Sequence, residues 1–285
     1  MRWKLAREDH AIERVSISFQ FKEPIPSKLW QSLLGTASQA LPHKGFLVSK
    51  RDVMPQLVIS AGAHPGKGRV AIENDPTAEI TAWTFQAVTG AEVREELSLR
   101  RSQFIYATSL YDRWSTFKAR LATLLWSSLD QALSIVELDN IKLEYWDRFN
   151  FLDAPSAANY SELLRADSKY ISGFCLNETD LWHNHIGFFS PPGPSKRRLV
   201  NLNIDVLDLI VDTRPANADA DEVVQRSVGI YSMAQDTLGG DQSSAGAVGL
   251  EPTLDDMHAS LNKLLADVIT SAMADRISLV RQASV

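Results

Sequence analysis

One cysteine, Cys175, stands among 285 residues, so no internal disulfide can staple the fold and no CxxC pair can seed a zinc site. Long apolar runs are missing as well: nowhere do about 18 consecutive apolar residues occur, the length a membrane-crossing helix needs. The opening Met-Arg-Trp-Lys-Leu-Ala-Arg-Glu-Asp-His brings acids at once and has no apolar stretch, so it does not read as a secretory signal. A basic excess is absent too. Lys and Arg number 29 against 35 Asp and Glu, a net charge of −6. That balance weighs against sequence-blind nucleic-acid binding, which needs a basic face to release counterions. These absences predict a cytoplasmic protein with no membrane partner, in which the sequons at Asn159 and Asn177 are accidental.

Familiar catalytic signatures are also missing, with no GxSxG elbow and no HExxH. Residues 61–68, Ala-Gly-Ala-His-Pro-Gly-Lys-Gly, come near a phosphate-binding loop. Ala61 replaces its first glycine, and Gly68 stands where a magnesium-binding hydroxyl belongs. A hairpin loop is the reading, and no cofactor is expected.

What is present is ordinary globular material, 45% hydrophobic and 22% charged. Such a chain forms one large domain or two of about 140 residues each. Residues 12–21 alternate cleanly, with Val15, Ile17, Phe19 and Phe21 on one face and Arg14, Ser16, Ser18 and Gln20 on the other, which predicts a half-buried strand. Ser27 is read as the cap of a helix with an apolar stripe from Leu29 to Ala37. Strand candidates follow at 45–48, 56–60, 69–73, 80–88 and 95–108. A long helix is predicted over 110–136 from Leu110, Trp114, Phe117, Leu121, Leu124 and Leu125.

The order then recurs. Residues 141–151 read as a strand, 160–165 as a short helix, and 169–176, 181–189, 198–212 and 226–235 as strands. A bulge is expected near Val206, where the apolar alternation changes phase. A terminal helix is expected from a Thr253/Asp256 capping box to about Ile277. Residues 21–35 even align with 151–165, through Phe21/Phe151, Trp30/Tyr160, Leu33/Leu163 and Leu34/Leu164. The fold class is therefore α+β with antiparallel sheets and helices on one face. It divides into two similar halves, 1–138 and 139–285, packed as one unit, an order like that of helix-grip and TATA-binding-protein-like folds. That analogy of topology carries no function.

Three stretches resemble a known family when taken together. They are residues 19–30 with their Pro and Trp, the central Ile141-Lys142-Leu143-Glu144-Tyr145-Trp146-Asp147-Arg148-Phe149, and Leu254-Asp255-Asp256-Met257-His258. The resemblance is to a sporadically distributed bacterial family of uncharacterised proteins of about this length. Trp146-Asp147 departs from the aliphatic-Asn pair of that pattern, and Ala274-Asp275 departs from its acidic, tryptophan-containing ending. The resemblance implies no activity. It implies an accessory role, in the setting of mobile elements or phage defence.

Four places carry candidate chemistry. Tyr145 and Asp147 share a strand face with Phe149, while Arg148 points the other way. A carboxylate on that face must be paired or must line a cavity, so Asp147 is either a pocket acid or a structural partner of an arginine. Trp182, His183, Asn184 and His185 follow one another, and a strand would present both imidazoles on one face, as for a metal. No third ligand is signalled, although His258 would serve if the fold brought it close. Lys196, Arg197 and Arg198 form a basic tip on a proline-stiffened hairpin, either a binding surface or solvated charge. Cys175, between Phe174 and Leu176, reads as a core thiol.

Three functions stay open. The leading one is a non-enzymatic interaction or ligand-binding protein, whose partner is another protein or a small molecule bound by a concave aromatic surface. The second is a metal-dependent hydrolase using His183 and His185. The third is a nucleic-acid-binding saddle, disfavoured by the acidic charge. Edge strands leave room for a homodimer.

Overall fold

A computed structural model describes residues 2–7, 10–53, 56–60, 69–73, 79–190, 197–211, 223–238 and 246–279. The chain runs through β1 (Trp3–Leu5), β2 (Ile12–Phe21), α1 (Ser27–Ala40), β3 (Val48–Val53), β4 (Gln56–Ser60), β5 (Arg69–Glu73), β6 (Ile80–Thr89), β7 (Glu92–Arg100) and β8 (Gln103–Thr108). Next come α2 (Trp114–Leu121), a π-helical turn (Ala122–Trp126) and α3 (Ser127–Leu133). The remainder is β9 (Leu138–Phe151), α4 (Gly173–Asn177), β10 (His183–Ser190), β11 (Arg197–Val211), β12 (Val223–Thr237), α5 (Glu251–Val268) and α6 (Ser271–Arg276).

Alternation builds the centre of the molecule. In β2, Val15, Ile17, Phe19 and Phe21 are buried, and in β9 the buried set is Ile141, Leu143, Tyr145, Asp147, Phe149 and Phe151. Both stripes face the helices: Phe19 meets Trp126 edge to face, Tyr106 of β8 stacks on Phe117 of α2, and Tyr145 reaches His258 of α5. The fold is α+β, with one ten-stranded antiparallel sheet and a few helices. Its spatial order is β10-β11-β12-β9-β2-β8-β7-β6-β3, with β1 also on β9 and β4-β5 a separate hairpin. β2 pairs with β9, so the strands before and after residue 138 form one continuous sheet. Gly90 takes the tight β6–β7 turn at φ +62°, a conformation side-chain-bearing residues rarely adopt.

Several sequence expectations are corrected, each for a local reason. The long helix is interrupted by the π turn between α2 and α3. Residues 169–176 contain no strand; Gly173–Asn177 form the short helix α4, in which Cys175 is buried and Phe174 is 70% exposed. The segment near 160–165 is a 3₁₀ turn at Tyr160–Glu162, begun by Asn159, whose side chain accepts a hydrogen bond from the Ser161 amide. β11 and β12 pair without interruption from Arg197 to Val211, so no bulge lies at Val206. The apolar pattern changes phase there because the strand leaves the core: Val206 is buried and Ile210 is 66% exposed. The terminal helix breaks at Ile269, which bridges to Leu164, and Thr270 caps α6 by accepting from the Met273 amide. Ser27 lies inside α1 with Pro26 as its cap, and α5 starts at Glu251, ahead of Thr253. The loop at 61–68 and the turn at 74–76 lie outside the described residues.

Candidate functional site

A cavity of about 1010 Å³ opens between the sheet and the helices. Its floor is sheet: Tyr145 and Asp147 of β9, Ser232 of β12 directly opposite Tyr145, and Ile12 of β2 directly opposite Asp147. One wall is α5, through His258, Leu261, Asn262 and Leu265, and another is the approach to α2, through Tyr111–Trp114. Residues 276–279 and Arg7, His10 and Ala11 complete the rim.

A β-bulge shapes this floor. Ile12 pairs with Asp147 but Arg14 pairs with Trp146, so Glu13 is an extra residue between them. Without it, strict alternation would turn Ile12 to the outer face. With it, Ile12 joins the cavity and Glu13 forms a 2.7 Å ion pair with Arg148. Nothing in the sequence around Glu13 announces the bulge, which is why alternation alone missed it.

Asp147 is the unusual group. Its side chain is buried, with 3% of the residue exposed, and Oδ1 has no hydrogen-bond partner. Among the described residues no cation pairs with it. Burial, helped by the nearby charge of Glu13, raises its carboxyl from the usual 3.8 to about 7. The structure places it at the cavity, one of the two alternatives the sequence allowed.

The aromatic side chains around it are held firmly. Tyr145 Oη lies 2.9 Å from His258 Nδ1, and Asn262 Nδ2 lies 3.0 Å from His258 Nε2. The His258 ring stacks on Trp114 with centroids 4.4 Å apart and planes 9° from parallel. Trp114 in turn donates to Asp255 at 2.6 Å. Burial lowers His258 to about 4, so at neutral pH the imidazole is uncharged. Tyr111 meets Tyr145 edge to face at 5.9 Å, and burial pushes the Tyr111 hydroxyl up to about 12. Burial raises Tyr145 as well. Both phenols therefore stay protonated and can donate hydrogen bonds.

The remaining sequence candidates are elsewhere. Arg148 lies on the opposite sheet face, bound to Glu13 and to Ser227 Oγ at 3.2 Å. Trp182 is buried against Tyr160. Lys196 lies outside the described residues. Arg197 is exposed and stacks on Phe189 at 3.8 Å. Arg198 is not part of a solvated tip: it is buried and clamped by Asp236 at 2.6 Å and Asp256 at 2.8 Å. His183 and His185 share the exposed face of β10, with ring centroids 5.1 Å apart and Asp205 Oδ1 at 3.5 Å from His185 Nε2. Among the described residues no cluster of three or more His, Cys, Asp or Glu side chains is arranged to hold a metal, and His258 is in the cavity. Cys175 is buried.

On the sheet face opposite the helices, several cations are matched by acids, while the exposed Arg14 lies over the Trp146 ring. Lys142 pairs with Glu144 at 3.0 Å, Arg148 with Glu13, and Arg94 with Glu92. No helix among the described residues is long and apolar enough to cross a membrane. Compared with models of known protein families and with curated proteins, the sequence matches none.

Proposed function

We propose that this chain is a non-enzymatic ligand-binding protein that holds a small molecule in the cavity over Tyr145 and Asp147. One observation carries the reading: Asp147, whose Oδ1 is buried without a hydrogen-bond partner, is among the residues that line a space of about 1010 Å³. An unpaired buried polar group costs roughly 1–3 kcal/mol, a cost a bound ligand would offset. The size suits such a role, since pockets for small molecules run to about 1,000 Å³ and combine apolar walls with a few fixed polar groups. The hydrolase reading through His183 and His185 lacks a third ligand among the described residues. The nucleic-acid reading is disfavoured by the net charge of −6 and by the pairing of Lys142, Arg148 and Arg94 with acids.

We propose further that the frame of this site is built from two similar halves, 1–138 and 139–285. Counted from the centre outward, the strands run β2-β8-β7-β6-β3 on one side and β9-β12-β11-β10 on the other, five against four. Apart from the short β1, which pairs with β9, each half opens on a central strand, β2 or β9, with which its last strand, β8 or β12, pairs, an order that supports the helix-grip or TATA-binding-protein-like reading. The aligned residues agree, with Trp30, Tyr160, Leu33, Leu163, Leu34 and Leu164 all buried. The copies differ locally, a 14-residue α1 standing where the second half has 3₁₀ turns. An accessory role in bacteria rests on the family resemblance alone.

The test is a thermal-shift screen of a chemically mixed small-molecule library against the intact chain. Asn262→Trp, which places a large ring at a half-buried position on the cavity wall, is the control. Ligands should raise the melting temperature of the parent protein and not of the variant. A library that shifts neither protein, or shifts both equally, would overturn the proposal.

A further inference from the structure

Resting on that reading, the charge layout of the cavity narrows the ligand to a chemical class. The floor carries an uncompensated carboxyl, Asp147, beside the mutually perpendicular rings of Tyr111 and Tyr145. Such rings favour a cation through their quadrupoles. The rim carries the opposite sign. Arg7 donates to the Ser109 carbonyl at 3.2 Å, Arg276 donates to the Trp3 carbonyl, and Arg113 is exposed. Among the described residues none of these three guanidinium groups is in an ion pair, and a carbonyl positions a guanidinium without cancelling its charge. Asp112 is the rim's one acid among the lining residues.

The protein's own charges do not cancel across this gap. Arg7 and Arg276 are tied to backbone carbonyls. His258, the basic side chain nearest the floor, is uncharged at neutral pH and is engaged on both ring nitrogens. Lys118, the other cation of this wall, is bound to Asp255 at 2.7 Å. A ligand with one charge would satisfy one end of the cavity and be repelled by the other. We propose that the cavity takes a zwitterionic small molecule, with a protonated amine directed to Asp147 and an acidic group directed to the rim arginines. Its body would be apolar or aromatic, to lie between Trp114, Tyr111, Leu261 and Ile277.

Proton linkage follows for this binding. The titratable groups around Asp147 are Tyr145 on β9, Tyr111 and His258 of α5 on its own side, Glu13 across the sheet, and Arg7, Asp112, Arg113 and Arg276 at the rim. An ammonium binds the ionised carboxylate, so its affinity should fall as pH drops below about 7, by up to about tenfold per pH unit.

A matched set of probes tests the assignment by calorimetry on the intact chain: 4-(aminomethyl)benzoate, 4-methylbenzylamine and 4-methylbenzoate. The zwitterion should bind at least about tenfold more tightly than either singly charged probe, the step a charge-pair energy of about 1.4 kcal/mol gives. Asp147→Asn should remove that advantage and its pH dependence, and Arg113→Ala should weaken the zwitterion and the acid but not the amine. Equal affinity for all three probes, a preference for either singly charged probe, unchanged binding in Asp147→Asn, or no binding of any probe would overturn the zwitterion assignment. If the mixed library still shifts the parent protein and not Asn262→Trp, the ligand-binding reading stands without it. If the library fails as well, both fall.

Discussion

At the scale of single residues, Asp147 makes stability depend on pH in a direction unusual for a carboxyl group. Its value rises from 3.8 in the free side chain to about 7 in the fold. Between those limits the folded protein keeps a proton that the unfolded chain has released, so stability falls as pH rises through the window, and the loss is complete above about 7. At about 1.4 kcal/mol per pH unit the full window is worth roughly 4 kcal/mol. His258 opposes it over part of the range: lowered from 6.5 to about 4, it contributes stability above 6.5 that is lost as pH falls toward 4. Asp147→Asn isolates the first effect. Urea melts should show little difference from the parent at pH 4 and a stabilised variant at pH 8; equal effects at both would mean that Asp147 is paired in solution. Arg198 gives a contrasting case. It is buried with two carboxylates on it, and removing one partner of such a cluster costs about 3–5 kcal/mol. Arg198→Ala should lose that much in a denaturant titration, and a loss under about 1 kcal/mol would place Arg198 at a solvated surface after all.

At the scale of elements, the long central strands were legible, whereas β1, the place of β3, the turn that splits 95–108 into β7 and β8, and the irregular pieces were not. Val15, Ile17 and Phe19 alternate because β2 is covered on one face only, and a half-covered strand writes its period into the chain. Residues 169–176 carry the same residue types without that constraint: Ile171 lies in a bend ahead of the short α4, in which Cys175 is the buried residue. The break between α5 and α6 was hidden for another reason: Ile269 is apolar, as a continuing helix would require, and only its bridge to Leu164 pulls it into an extended conformation. Thr270 then restarts the helix. Thr270→Ala should cost about 1 kcal/mol, the usual worth of such a cap. It should also increase hydrogen exchange at the amides of residues 271–279, which lead to the cavity rim. Unchanged exchange there would show that packing of Met273 and Ala274, not the cap, holds α6.

At the scale of the whole molecule, the seam between β2 and β9 makes the chain one folding unit. Cut at residue 138, each piece would expose a long central strand whose amides and apolar stripe are both buried in the intact sheet, the arrangement most prone to aggregation. Fragments 1–138 and 139–285 should be unfolded or aggregated when expressed separately and should regain native-like circular dichroism only together. A cooperatively melting single fragment would contradict this. The sequence by itself determined the strand periods, the α+β class and the face that Tyr145 shares with Asp147, because these depend on neighbours within a few residues. Only the tertiary structure decided that Glu13 bulges out, that Arg198 turns inward to Asp236, and that His258 meets Tyr145 across 113 positions of chain. Those outcomes depend on which distant surfaces exclude water from each other, and local spacing carries no record of that.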